Sequence, residues 1–236
     1  MRINSIRTTV VPENKMNEQL SSLYNANWNN CLKIIRTFQE KGYELAHPYL
    51  LTASDEYCNA DTKVVCLGKE TQGWGGEFAD QPTIKELQQL YTLYIYKEQG
   101  NRAAFHNFVN WISSLSEDVS VIPSNIIKVG KKSIKGYYKP VVEEMQMAAP
   151  MLKEELSILA PSVIICPTSN LYDYNQPLSD MLGNHTEQVL LEEPFVSERR
   201  YDSFPDIPFI ICPHPQGKPK EELDKIKQIV SKYILG

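Results

Sequence analysis

Apolar residues recur along this chain in two patterns, at helical spacing and in short continuous runs. Spacings of three and four predict helices, and they cover residues 14–42, 80–99, 102–115, 138–159 and 219–234. Short β-branched runs are typical of buried strands, and they cover residues 63–67, 125–129, 163–166 and 207–212, with lesser strands at 187–191 and 195–201. Asp80 is the expected N-cap of the second helix, and a short helix is expected from Asn170. Helices alternating with buried strands predict a three-layer α/β/α fold with a central, mainly parallel sheet.

The chain shows no internal repeat, low-complexity segment or linker rich in Pro, Gly and Ser over its 236 residues. We therefore expect a single domain, long enough to bury a sizeable core. Within it, residues 1–45 are expected to form an N-terminal helical extension, and residues 48–234 the core.

Composition narrows the class of protein without assigning a function. Hydrophobic residues make up 42% and charged residues 22% of the chain, which is ordinary for a soluble globular protein. No run of about 18 apolar residues predicts a membrane span, and the N-terminus lacks the apolar core of a signal peptide, so we expect a cytoplasmic protein. The five cysteines show no metal-binding spacing and are expected to be buried, reduced thiols.

Charge weighs mildly against a nucleic-acid partner, because the net charge is −5 and phosphate binding needs local positive charge. The stretch from Lys128 to Gly136 nevertheless contains four lysines. It is either a basic patch that meets phosphates or a solvated basic loop.

Two loops after buried strands carry the candidate chemistry. Gly68, Lys69 and Glu70 follow the strand at 63–67, and His214 follows the strand at 207–212 between two prolines. Ligands of open α/β sheets bind outside the carboxyl ends of the strands. An acid and an imidazole are therefore expected at the edge of the sheet where chemistry usually occurs.

Three motifs and a spacer occur along the chain in a set order. They are Leu67-Gly68-Lys69-Glu70-Thr71, then Ser124-Asn125-Ile126-Ile127-Lys128-Val129, then the helix-Pro-strand spacer at 151–165, then His214-Pro215-Gln216. Together they resemble the uracil-DNA glycosylase superfamily, and the resemblance covers about residues 48–234.

The resemblance implies a monofunctional DNA-repair hydrolase that cleaves the N-glycosidic bond of a base flipped out of uracil-containing DNA, single- or double-stranded. It implies a monomer that needs no metal and no cofactor. The implied catalytic residues are Glu70 and His214. The implied substrate-binding residues are Gly68, Lys69, Trp74, Phe78 and Asn125. The implied DNA-binding residues are Lys131, Lys132, Gln216 and Lys218.

Physical chemistry gives each of these roles a mechanism and an alternative. In the functional interpretation, the carboxylate of Glu70 stabilises an oxocarbenium-like sugar and orients a water. In the alternative, Glu70 is an exposed loop acid or caps a following turn. A neutral imidazole at His214 would donate to the departing base, or it bonds to backbone. The amide of Asn125 matches the N3–H and O4 edge of uracil, or it bonds a neighbouring loop. Trp74 and Phe78 would stack on the extruded base or pack onto the core.

Several residues depart from the family pattern. Lys69 stands where Gln or Glu is usual, Glu70 is longer than the common Asp, and Gln216 replaces a phosphate-contacting Ser. The chain also lacks an apolar side chain after His214 that would wedge into the base stack. These departures leave two alternatives: a catalytically inactive glycosylase-fold protein that binds a nucleobase, nucleotide or protein, and an enzyme for another base, such as a deaminated purine.

Overall fold

The structure, a computed structural model, describes residues 9–70, 73–75, 78, 82–97, 103–132, 151–168 and 175–236. Within these ranges the helices are α1 (Lys15–Glu40), α2 (Asp55–Asn59), α3 (Ile84–Thr92), α4 (Ala104–Ser113), α5 (Met151–Leu159), α6 (Asn175–Leu182) and α7 (Lys220–Leu235). A π-helical turn, Leu93–Lys97, continues α3. The strands are β1 (Thr62–Gly68), β2 (Val119–Asn125), β3 (Val163–Pro167), β4 (His185–Leu191), β5 (Val196–Tyr201) and β6 (Phe204–Cys212).

The chain divides into two compact units. We call the first the helical unit, which comprises Met1–Asp55, Lys69–Gln99 and Asn125–Ile158. We call the second the sheet unit, which comprises Glu56–Gly68, Gly100–Ser124 and Leu159–Gly236. The single domain expected from the sequence stays a prediction.

The sheet unit is built on a six-stranded mixed sheet in the order β2-β1-β3-β6-β5-β4. β3 pairs in parallel with both β1 and β6, whereas β5 runs antiparallel to β6 and β4. The residues of β3 are all buried, as expected for a parallel strand covered on both faces. The predicted α/β/α class with a central, mainly parallel sheet is therefore confirmed.

One face of the sheet is covered by α4 and α7. Both helices contribute apolar side chains to a cluster that includes Val64 and Cys66 of β1, Val163 and Ile165 of β3, and Ile210 of β6. The thiols of Cys66, Cys166 and Cys212 are buried and unbridged, and burial raises the pKa of Cys212 to about 12. The cysteines of these strands serve as small apolar side chains, as the sequence predicts.

The helical unit is organised around α1, whose N-cap Asn14 accepts a hydrogen bond from the backbone N–H of Asn17. The buried side of α1 is apolar and aromatic, as its spacing predicts; it includes Leu20, Tyr24, Cys31, Ile35 and Phe38. The start of α3 is fixed by a capping box in which Thr83 and Glu86 bond each other's backbone N–H groups. Two backbone N–H groups at this terminus are thereby satisfied locally.

Most predicted elements are confirmed, with shifted ends, and one strand is wrong. The second strand is Val119–Asn125, not 125–129, so Asn125 ends a strand instead of starting one. Ile126 and Ile127 are buried but lie beyond the strand, because an apolar run reports burial and not strand pairing. The predicted N-cap Asp80 and the predicted helical residues 138–150 and 170–174 lie outside the described residues.

Candidate functional site

Two of the candidate loops follow parallel strands of the sheet unit. Gly68 is the last residue of β1, and His214 comes two residues after the end of β6. Both strands pair in parallel with β3, through Cys66 opposite Ile165 and through Cys212 opposite Pro167. Gly68 and His214 therefore leave the sheet at the same edge, as the sequence predicts.

The next two residues of the first loop, Lys69 and Glu70, belong to the helical unit, where Glu70 has an unusual ionisation. Partial burial raises the pKa of Glu70 from 4.5 to about 7, although the cations of Lys131 and Lys69 act in the opposite direction. A carboxyl group with this pKa exists in both protonation states near neutral pH. Perturbed carboxyl groups of this kind are found where acid–base or electrostatic chemistry occurs, as well as in structural networks.

Asn125 ends β2 in a mostly buried position. The residue is 8% exposed, and its amide is not among the buried side-chain groups that lack a hydrogen-bond partner. The prediction that this amide reads a base edge and the alternative that it bonds a neighbouring loop both stay predictions.

A backbone hydrogen bond joins the Glu70 loop to the segment that carries Asn125. The N–H of Ile127 donates to the carbonyl oxygen of Lys69 at 2.9 Å. The helical unit thus brings together Lys69, Glu70, Asn125 and Lys131, four residues predicted for one site.

Trp74 and Phe78 are both buried in the helical unit. The indole ring of Trp74 makes edge-to-face contacts with Tyr49 and Tyr94, at centroid distances of 4.7 and 4.9 Å. Phe78 belongs to a core cluster with Phe38 and Val129. These contacts agree with the alternative interpretation of Trp74 and Phe78, in which both rings pack onto the core. The buried Nε1–H of Trp74 has no hydrogen-bond partner among the described residues.

The lysines predicted to meet phosphates are placed in three different ways. Lys131 is 7% exposed and acts on Glu70 as a nearby cation, so it is positioned as a counter-charge within the helical unit. Lys132 lies at the surface with Nζ 3.8 Å from Oε1 of Glu44. Lys218, in the sheet unit, has Nζ 3.1 Å from Oε2 of Glu222. Lys132 and Lys218 are therefore already close to carboxylates.

His214 is held in one tautomer by its own loop. The backbone N–H of Gln216 donates to Nδ1 of His214 at 3.1 Å. Because Nδ1 accepts this bond, a neutral imidazole carries its proton on Nε2. The ring can then donate from Nε2, which is the role predicted for it, while the side chain of Gln216 is exposed.

Sequence reasoning missed a buried charged network in the helical unit. Lys128 forms an ion pair with Glu155, and the hydroxyl of Tyr24 donates to Oε1 of Glu155 at 2.8 Å. A signal for it existed: Glu155 interrupts the apolar side of α5, and Lys128 interrupts the run from Ile126 to Val129.

The candidate residues are thus divided between the two units. Lys69, Glu70, Trp74, Phe78, Asn125, Lys131 and Lys132 belong to the helical unit. Gly68, His214, Gln216 and Lys218 belong to the sheet unit. Among the described residues, no group of three or more His, Cys, Asp or Glu side chains is arranged to hold a metal ion.

Comparison with known proteins adds no relative. Neither the protein-family models nor the curated proteins give a match to this chain. The resemblance to the uracil-DNA glycosylase superfamily therefore rests on the motifs and their order. Over the described part of the chain, the structure contains no helix with the length and apolarity needed to cross a membrane.

Proposed function

We propose that this chain is a uracil-DNA glycosylase-like hydrolase that cleaves the N-glycosidic bond of a base flipped out of DNA. The observation that carries the proposal is the hydrogen bond of 2.9 Å from the Ile127 N–H to the carbonyl oxygen of Lys69, which joins the segment of Asn125 to the loop of Glu70. The amide of Asn125 offers a planar donor and acceptor, which suits the donor–acceptor edge of a nucleobase. A base bound by that amide would lie on the segment that is bonded to the Glu70 loop.

Glu70 supplies the carboxylate for the sugar side of the reaction. As the bond between sugar and base breaks, the base leaves with the electron pair, and positive charge develops on the sugar. The ionised form of Glu70 stabilises that charge, and a water then adds its oxygen to the anomeric carbon and releases a proton to the carboxylate or to solvent. Because the pKa of Glu70 is about 7, the required form becomes dominant only above neutral pH.

His214 supplies the hydrogen bond to the leaving base. Its Nδ1 accepts from Gln216, so a neutral ring offers Nε2–H to a developing oxyanion without becoming charged. Donors aimed at developing charge commonly contribute factors of about 10²–10³ to the rate. The expectations of a monomer, a cytoplasmic location and DNA as the partner form part of the same proposal.

The second candidate function is binding without chemistry. Two observations favour it. The rings of Trp74 and Phe78 are packed into the core, and Lys132 and Lys218 lie near carboxylates. A protein of this kind would hold a nucleobase or nucleotide on Asn125 and release no base. Another nucleobase as substrate is a variation of the first proposal, set by the shape of the pocket.

The proposal is tested by abasic-site formation on fluorescent oligonucleotides that carry one uracil, in single- and double-stranded form. Alkali should cleave the product strand, and Glu70→Gln, Asn125→Ala and His214→Ala should each reduce cleavage. Glu192→Gln and His106→Asn serve as matched controls, because they change the same residue types outside the proposed machinery. Hypoxanthine in place of uracil tests the alternative substrate.

The second candidate function, binding without chemistry, is favoured if the parent protein forms a stable complex with a nucleobase and releases no base at high protein concentration. Base release that survives in both Glu70→Gln and His214→Ala would refute the residue assignments. Isothermal titration with free uracil, cytosine, adenine and guanine separates these results from simple inactivity.

A further inference from the structure

The buried network of Lys128, Glu155 and Tyr24 occupies a particular place in the helical unit. Lys128 comes three residues after Asn125 and three residues before Lys131. It therefore lies at the centre of the segment that carries both Asn125 and the cation of Lys131 that acts on Glu70.

Lys128 is anchored through its side chain and its backbone at once. The side chain, 6% exposed, pairs with a fully buried Glu155, while the carbonyl oxygen of Lys128 accepts a hydrogen bond of 2.7 Å from the N–H of Tyr49. The network continues through the hydroxyl of Tyr24, which donates to Glu155 and accepts from the N–H of Leu51 at 2.9 Å. The segment is thus tied to α1, to α5 and to the chain at 49–51.

Stability alone is a poor reason for such a pair. Burial lowers the pKa of Lys128 and raises the pKa of Glu155, because both charges are taken out of water. Buried ion pairs can often be replaced by apolar side chains of similar volume with little loss of stability, and in some proteins their role is to select one conformation. The pair is directional, whereas an apolar contact at the same position would let the segment shift.

We propose that Lys128 is a positioning residue whose buried bond to Glu155 fixes the Asn125–Lys131 segment against the Glu70 loop. The contact being held is the hydrogen bond from Ile127 N–H to the carbonyl of Lys69, 2.9 Å long. Lys128 itself does not touch the substrate. Only the activity arm of the test rests on the proposed function, because the position of the segment can be measured without any ligand.

The test uses the full-length protein and the double variant Lys128→Met/Glu155→Leu, which removes both charges and keeps similar volumes. Backbone amide exchange should become roughly tenfold faster or more at Ile127 and at Lys132, since local opening controls such exchange. The N–H of Lys132 donates to the carbonyl oxygen of Glu44 at 3.0 Å. The NMR titration midpoint of Glu70 should rise above about 7, because Lys131 is no longer held beside it. If the parent protein releases base, kcat should fall while KM for the oligonucleotide changes less.

The matched control is Arg199→Met/Glu187→Leu, which removes another ion pair with a buried cation, in the sheet unit. It should leave the exchange of Ile127 and the midpoint of Glu70 unchanged. Tyr24→Phe removes a single hydroxyl and serves as a milder variant if the double variant does not fold. It should shift both readouts in the same direction by a smaller amount.

The results separate this inference from the proposed function. The positioning role is overturned if the folded double variant keeps the parent exchange rate of Ile127 and the parent titration midpoint of Glu70. If the double variant does not fold, the same result in Tyr24→Phe overturns it. Faster exchange with a raised midpoint supports it, even if the parent protein proves to have no glycosylase activity. In that case the proposed function fails alone.

Discussion

Replacing Glu70 by Gln should stabilise the protein at alkaline pH. The pKa of this carboxyl group is raised from 4.5 to about 7 by burial, so the folded state holds its proton more tightly than the unfolded state does. A group with a raised acid pKa lowers the free energy of unfolding as the pH rises from about 4.5 through 7. Gln has nearly the same shape and no charge, so it removes this penalty.

The size of the effect follows from the shift in pKa. One pKa unit corresponds to about 1.4 kcal/mol, so a shift from 4.5 to about 7 sets an upper limit of about 3 kcal/mol above pH 8. Solvent screens a side chain that is only partly buried, and Lys131 loses an attractive neighbour in the variant. We therefore expect a gain of roughly 1 kcal/mol, which for a protein of this size raises Tm by about 2–4 °C.

Thermal unfolding at pH 8.5 and pH 5 checks this, with circular dichroism as the signal and constant ionic strength. The gain in Tm of Glu70→Gln should be largest at pH 8.5 and should shrink at pH 5. The control is Glu44→Gln, whose side chain is 59% exposed and lies 3.8 Å from Lys132, and its Tm should stay within about 1 °C of the parent value. A lower Tm for Glu70→Gln at pH 8.5, or a gain of equal size at both pH values, would refute the burial of a charged carboxylate.

The remaining predictions concern the proposed reaction. The rate of base release should increase with pH through a midpoint near 7, the pKa of Glu70. Initial-velocity measurements check this, and a rate that falls over this pH range would contradict the role of the ionised carboxylate. Asn125→Ala should reduce base release about 10–100-fold, the effect of losing a hydrogen bond to the substrate. Tm should change by less than about 2 °C, because Asn125 is the last residue of its strand; a large fall in Tm would show that the amide is structural. Lys132→Ala and Lys218→Ala should leave Tm almost unchanged, and each should lower the salt dependence of DNA binding by at most about one counterion. Fluorescence anisotropy between low and moderate salt measures this dependence. If the slope of log affinity against log salt is unchanged in both variants, the two lysines are not part of the DNA interface.

The alternation of helices and buried strands was readable from the sequence because burial and periodicity coincide in most elements. β3 and β6 are continuous apolar runs, and α1 has a regular apolar stripe. The start of α3 also has a sequence signal: Thr83 and Glu86 form the Thr-x-x-Glu pattern of a capping box. The prediction of Asp80 as the N-cap rests on residue type alone.

The position of Asn125 was harder to read for a physical reason. Pro123 lies inside β2, and proline normally argues against a strand because it cannot donate to the ladder. The run Ile126-Ile127 beyond it is buried and imitates a strand. Both signals favour a strand that lies closer to the C-terminus than β2 does. Asn125 is at a strand terminus in the prediction and in the structure alike.

The ionisation of Glu70 and the network around Lys128 could not be read from the sequence. Each depends on residues that are distant in the chain, such as Lys131 beside Glu70 and Glu155 beside Lys128. A single sequence reveals that a charge interrupts an apolar run, but not which partner it meets. Three-dimensional proximity is needed to turn an anomalous charge into a specific ion pair.

Two segments of the helical unit carry candidate residues with unfavourable solvation or an unmade hydrogen bond. Glu70 has a partly desolvated carboxyl group, and Trp74 has a buried N–H without a partner among the described residues. Backbone bonds connect the two segments, from Ile127 to Lys69 and from Gly73 to the carbonyl of Lys131. A ligand that pairs with both groups would remove penalties that folding alone leaves in place, which is the physical reason to look for a binding site on these segments.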